Sequence, residues 1–281
     1  MYDERLTPDG ETIASKKDYE LFPIEGNGLV KLFRAHVPIE RIEREAQTSR
    51  LVHAAGLPSL RVDRAPVRRR DGRVGIVFER VPGERLSALY SRHPGRLFGL
   101  TDRIAQLHRH IHETPAVEGL PSQKMRLGED VLSAGRLSLD ARRTLYRTLE
   151  ALPDGERVCH GNLHPSHVLV DGDTTIATEW GDAVNGNPLA DVARTAIILR
   201  YPVAQSADYG SRAARIYCLL RSAVYVRRYF AGDRSRLPEL RRWLVVCAAA
   251  RLREELPPES SRRIARLIAV ALPRLRGALP A

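Results

Sequence analysis

Between Cys159 and Asp191 the chain reads CHGNLHPSHVLVDGDTTIATEWGDAVNGNPLAD, and groups able to hold a metal or move a proton are crowded into it. His160, Asn162, His164 and His167 come first, and the carboxylates of Glu179 and Asp182 follow a dozen residues later. Imidazole nitrogens and carboxylate oxygens are the usual protein ligands of metals, so the two clusters could serve one ion if the chain between them folded back. The intervening residues favour that. Val168 to Val170 is a short apolar run, Asp171-Gly172-Asp173 is a turn signal, and Thr174 to Thr178 can pair back as the second strand of a hairpin. Such a hairpin would bring the two polar ends together, where they could hold one metal ion.

Composition narrows the classes. The chain has 281 residues, 43% hydrophobic and 28% charged, enough for one large domain or two lobes of an ordinary globular protein. No apolar run approaches the roughly 20 residues that span a bilayer, and MYDERLTPDG lacks the apolar core of a signal peptide. A cytoplasmic location and no membrane partner are the expectation. Cys159, Cys218 and Cys247 are odd in number and set in apolar contexts, which predicts buried thiols rather than a disulfide or zinc framework. The formal charge of +11 comes almost wholly from arginine, with four lysines in the chain. The basic residues, among them Arg212, Arg215, Arg221, Arg227 and Arg228, are scattered along helix faces rather than gathered with aromatics into one basic stripe, so no nucleic-acid partner is expected.

Elements that would position the loop can be read in order. Glu11–Ser15, Asp18–Phe22 and Leu29–Phe33 read as strands, the last two joined at Gly26-Asn27-Gly28. Residues 39–55 read as a helix closed by Gly56 and Pro58, and Leu60–Val67 and Val74–Glu79 as two further strands. Val81-Pro82-Gly83 breaks the pattern. Beyond it Leu97, Leu100, Ile104, Leu107 and Ile111 form one helical stripe. His108 and His112 lie four apart on that helix, the spacing of a two-histidine metal face, but no HExxH pattern accompanies them and ordinary polar-flank histidines are the expectation. Residues 138–152, 189–200, 206–230, 237–256 and 258–275 read as further helices.

A small antiparallel sheet with one helix, a Pro-Gly hinge and a helical lobe bearing a polar loop and hairpin is the layout of a kinase-like phosphotransferase. The segments HGNLHPSHVL, TEWGDA and GNPLADVA resemble the HGDxHPxNVL, IDWxDA and GDPxxDxA runs of the aminoglycoside phosphotransferase family. Lys31 in LVKLFR, Glu45 in EREAQTSRLVHAAGLPS, FERVPG at 78–83 and LHRHIHETP at 107–115 resemble its other landmarks. The resemblance implies an α+β, protein-kinase-like two-lobed fold. A small antiparallel β-sheet N-lobe with one helix would span residues 1–80, a hinge 81–85, and a larger, mainly helical C-lobe 86–281, carrying the catalytic-type loop and hairpin at 159–191. It also implies a cleft between lobes for ATP or another nucleotide with Mg²⁺ and for a small-molecule acceptor. Lys31 would reach the phosphates, Glu45 would hold that lysine, Lys16 and Lys17 would lie on the phosphate-side turn, and Glu79 and Val81 would contact the nucleotide.

The family's pattern is broken at its chemical centre. In the loop that begins at His160, the family's catalytic aspartate is Asn162, a neutral amide that cannot take a proton. Its metal-binding asparagine is His167, which suits softer metals than magnesium, and its metal-binding aspartate is Glu179, one methylene longer. Asn187 replaces the aspartate of the GDP run, and Ser15-Lys16-Lys17-Asp18 stands where a glycine-bearing turn is expected. The sequence therefore predicts a phosphotransferase-like protein that is catalytically weakened or silent. It would keep a nucleotide or small-molecule cleft and, if pseudokinase-like, act through a protein partner. The alternative is an active ATP-dependent phosphotransferase acting on a small hydroxylated molecule.

Overall fold

Apolar runs organise the first third of the chain. In the computed structural model, which describes residues 11–202 and 211–278, β1 (Ala14–Ser15), β2 (Tyr19–Ile24), β3 (Gly28–Phe33), β4 (Val62–Arg68) and β5 (Val74–Glu79) form one antiparallel sheet in the order β1-β2-β3-β5-β4. Strand β3 is central and buried at every position. Successive side chains of a strand face opposite ways. Leu29 and Phe33 accordingly join one apolar cluster with Leu21, Ile42, Ala46 and Ile76, whereas Val30 and Leu32 join another with Phe22, Ile24 and Val77. Lys31 lies between Leu29 and Phe33 in sequence, on their face of the sheet. Helix α1 (Ile39–Ala54) covers that face through Ile42 and Ala46.

By packing, the chain divides into two compact units, one running to Arg85 and including His167–Asp182, the other comprising Leu86–Ser166 and the residues from Ala183 onward. The hairpin of β8 (Val168–Asp171) and β9 (Thr174–Ala177) therefore groups with the sheet rather than with the helices. Its apolar side chains explain this. Leu169 and Ile176 pack on the same cluster as Leu29 and Phe33, and Ala177 N donates to Pro58 O at 2.8 Å. The short strand β6 (Glu84–Arg85) pairs with β8, so the segment expected as a hinge carries a strand.

The second unit is built on α3 (Leu97–Glu113), α6 (Pro188–Arg200), α7 (Arg212–Tyr229), α8 (Leu237–Arg251) and α9 (Pro258–Ala278). Ten of the thirteen residues of α6 are buried. That is the pattern of a helix surrounded by others rather than a surface one. The expected beginning of the α7 helix at 206–210 lies outside the described residues. Helix α2 (Leu86–Arg92) and the two-stranded sheet of β7 (Arg157–Cys159) with β10 (Val184–Gly186) are additional to the expected elements, α4 (Gln123–Leu132) and α5 (Leu139–Glu150) make up a helical stretch ahead of the polar loop, and β1 is shorter than expected. All three cysteines are buried, free thiols. Arg221 is buried, and its Nη2 donates to Leu199 O at 3.0 Å. No helix among the described residues is long and apolar enough to cross a membrane.

Candidate functional site

The first polar group sits on the α1 side of the β3 strand. Lys31 is 4% exposed, and its ammonium donates to Glu45 Oε1 at 2.5 Å and to Glu179 Oε2 at 2.6 Å. The same nitrogen lies 4.2 Å from the Tyr19 ring centroid and 5.2 Å from that of Phe33, within cation–π range. Tyr19 also donates through its hydroxyl to Glu179 Oε1 at 2.8 Å, so each oxygen of the Glu179 carboxylate accepts from a side chain of the sheet. Burial alone would lower the Lys31 pKa, but Glu45 and Glu179 outweigh it and hold the ammonium above the usual lysine range. Burial pushes Glu45 up, whereas Glu179 is held at about 2, burial being outweighed by Lys31 and His167. Two carboxylates share one ammonium and repel each other. Glu179 keeps its charge, and Glu45 is the one that protonates first.

Local backbone explains how Glu179 gets there. Thr178 N donates to His167 O at 2.8 Å, which closes the open end of the β8–β9 hairpin and leaves Glu179 beside it. Glu179 has φ +65°, an unusual left-handed conformation for a residue with a long side chain, which redirects the chain into a 3₁₀ turn at Trp180–Asp182. Trp180 anchors the turn by donating Nε1 to Ala177 O at 3.0 Å. A Cβ on Gly181 would lie 3.1 Å from Glu45 Cγ, so the small residue lets α1 bring Glu45 close.

The second polar group lies in the helical unit. Asp191, in the first turn of α6 and 1% exposed, accepts His160 N at 2.5 Å through Oδ2 and Gly161 N at 3.0 Å through Oδ1. Gly161 has φ +76°, and Asn162 N donates to His160 Nδ1 at 3.2 Å. The loop that presents Asn162 is thus held by one buried carboxylate. His108 and His112 converge on the same Asp191 Oδ2 through Nε2, at 3.0 and 3.3 Å, and their Nδ1 atoms meet the hydroxyls of Tyr225 and Tyr229 at 2.5 and 2.8 Å. These are buried network residues, not the polar-flank histidines expected from the sequence. Burial, with His108 alongside, lowers His112 to about 4, so its imidazole is neutral at pH 7. His108, His112 and Asp191 form the one group of metal-type donors among the described residues that is close enough for an ion, and hydrogen bonds already occupy every one of them.

Asn187 has a structural explanation. It caps α6 by accepting Leu189 N at 2.9 Å, and its amide nitrogen donates to Pro153 O at 3.2 Å, Asp154 O at 3.4 Å and Glu239 Oε1 at 3.4 Å. Three acceptors around one side-chain nitrogen suit an amide and would repel a carboxylate. Gly155 makes this fit possible, because a Cβ there would lie 2.5 Å from Asn187 Cα.

Lys16 and Lys17 are exposed on the turn between β1 and β2, where the Lys16 carbonyl accepts Arg34 Nε at 3.2 Å. Glu79 is exposed and pairs with Arg61 at 3.0 Å. Val81 is half-buried against the Leu29–Phe33 cluster. The contacts of Tyr19 and Asp191 cannot be read from the sequence around them. Nothing local marks Tyr19, whereas Asp191 stands in the first turn of an otherwise apolar helix, an unusual place to bury an acid.

His167 and Glu179, the two residues at the family's metal positions, do not fit magnesium. The ion needs hard oxygens in near-octahedral array. His167 offers an imidazole nitrogen instead, and Glu179 Oε2 already faces the Lys31 ammonium at 2.6 Å, where a dication would be repelled.

Comparison with known proteins agrees with this architecture. A profile of the phosphotransferase enzyme family, APH, matches residues 24–227. Among solved structures, aminoglycoside phosphotransferase APH(4)-Ia, in ternary complex with AMP-PNP and hygromycin B, superposes with a TM-score of 0.65 at 15% identity, covering 94% of this chain and 93% of that one. A choline/ethanolamine kinase family protein from Mesorhizobium loti gives 0.59 at 16% identity, covering 97% and 89%. Wild-type aminoglycoside 2'-phosphotransferase-IIIa, in complex with GDP, gives 0.56 at 15% identity, covering 96% and 94%. No curated protein matches the sequence. The fold is therefore α+β and kinase-like, and with the profile match extending over most of the sequence, the chain belongs to the phosphotransferase enzyme family.

Proposed function

We propose that this protein binds a nucleotide or another small anionic molecule through the Lys31 group and transfers phosphoryl groups weakly or not at all. The observation that carries this reading is the double engagement of Glu179 by Lys31 and Tyr19. Phosphoryl transfer relies on positioned cations and electrostatic stabilisation rather than on covalent chemistry by the protein. Here the lysine expected to meet phosphates is shared by two carboxylates, and the residue expected to accept a hydroxyl proton is the amide of Asn162. Losing a positioned acid–base group costs about 10²- to 10⁴-fold in rate. Losing metal binding adds several kcal/mol of missing charge stabilisation.

A second reading, an active kinase of a small hydroxylated molecule, draws support from the Lys31–Glu45 pair at 2.5 Å. Such a pair serves phosphate positioning in kinases. The two readings separate in a thermal-shift titration with ATP, alone and with Mg²⁺ or Mn²⁺, run beside a phosphate-transfer assay over acceptors that include water. Stabilisation by ATP that does not depend on metal, with no product, is the expected result. Metal-dependent stabilisation with turnover supports the second reading.

A further inference from the structure

Four helices of the second unit line an open cavity of about 660 Å³ that shares no residue with the polar groups described above. Its walls are mainly aliphatic: Ile197 from α6, Ala223 and Val226 from α7, Leu244 from α8 and Leu267 from α9. Pockets of about 300–1,000 Å³ with such walls and a few polar groups are the usual seats of small ligands. The charge of this one is one-sided. Arg200, Arg227 and Arg234 line it with exposed side chains, against one carboxylate, Asp233, which accepts Ser235 N at 2.9 Å. Among the described residues none of the three guanidinium groups is paired with an acid, and Arg200 stacks only on Tyr201, 5.4 Å from its ring centroid.

We infer that this cavity binds an amphipathic anion, specifically an aliphatic carboxylate whose chain enters between α6, α7 and α9 and whose head meets the arginines. Aliphatic walls select the chain, and the planar, permanently charged guanidinium matches a carboxylate in two-point geometry. A neutral amphiphile would lose the second contact. A cationic one would be repelled.

The test uses the full-length protein and a fluorescent probe, dansylundecanoic acid, displaced by dodecanoate, dodecanol or dodecyltrimethylammonium, all below their micellar concentrations. Dodecanoate should displace the probe, with dodecanol about tenfold weaker and the ammonium ineffective. Ala223→Trp, which fills the cavity, should abolish probe binding. Arg200→Glu with Arg227→Glu, at exposed positions that leave folding intact, should weaken dodecanoate by about tenfold or more. Equal displacement by the three amphiphiles overturns the inference. So does unchanged dodecanoate affinity in the double arginine variant, or no probe binding to the native protein.

Discussion

Glu179 accepts from the Lys31 ammonium at 2.6 Å and so competes, from within the chain, for the cation that the proposed function assigns to a bound anion. With Glu45 on the other side, the group carries two carboxylates to one ammonium. Removing the Glu179 carboxylate in Glu179→Ala deletes one of these competitors. Metal-free ATP should then bind about tenfold more tightly, equivalent to about 1.4 kcal/mol, in an isothermal titration. Unchanged affinity would show that Glu179 does not compete for the lysine.

Lys31→Met leaves Glu45 and Glu179 buried without their common cation. Breaking a buried ion pair from one side costs about 3–5 kcal/mol. Urea unfolding at pH 7 should show a loss of this order. Because Glu45 is already pushed up by burial, lowering the pH towards 5 should narrow the gap to the native protein as the carboxyl takes up its proton. A gap that widens in acid would contradict the charge assignment.

Acid should also loosen the network around Asp191. His112 titrates at about 4 in the folded chain, below the ordinary histidine value near 6.5, so the unfolded chain binds the extra proton between those limits. Stability falls as pH drops from 6.5 towards 4, by up to about 3 kcal/mol. Asp191, held well below the usual carboxylate range despite its burial by His108 and His112, adds a further loss at still lower pH. His112→Gln should flatten the dependence between pH 6.5 and 4 in denaturant titrations.

Asn187→Asp, a reversion towards the family's pattern, should destabilise rather than restore. The carboxylate could still cap α6, but it would face Pro153 O, Asp154 O and Glu239 without a proton to donate. A loss of about 1–3 kcal/mol is expected from chemical denaturation. A more stable Asn187→Asp variant would mean that the amide donors are dispensable.

The local features of this fold were legible in the chain. The β8–β9 hairpin follows from two β-prone runs about Asp171-Gly172-Asp173, and α3 from its apolar stripe at spacings of three and four. The relations between distant segments were not. Tyr19 meets Glu179 from 160 residues away, and Asp191 holds His160 and Gly161 from the far side of the hairpin. His108 and His112 look like the wet edge of an amphipathic helix until Tyr225 and Tyr229 of α7 supply their second partners. Asn187 reads as a lost charge until the three acceptors around its amide are seen.

The most direct measurement is ATP turnover by the native protein beside the triple variant Asn162→Asp, His167→Asn, Glu179→Asp, with Mg²⁺ present. The native chain should release phosphate no faster than buffer, and the variant should gain about 10²-fold or more. Turnover by the native chain at a rate the substitutions do not raise would contradict the account.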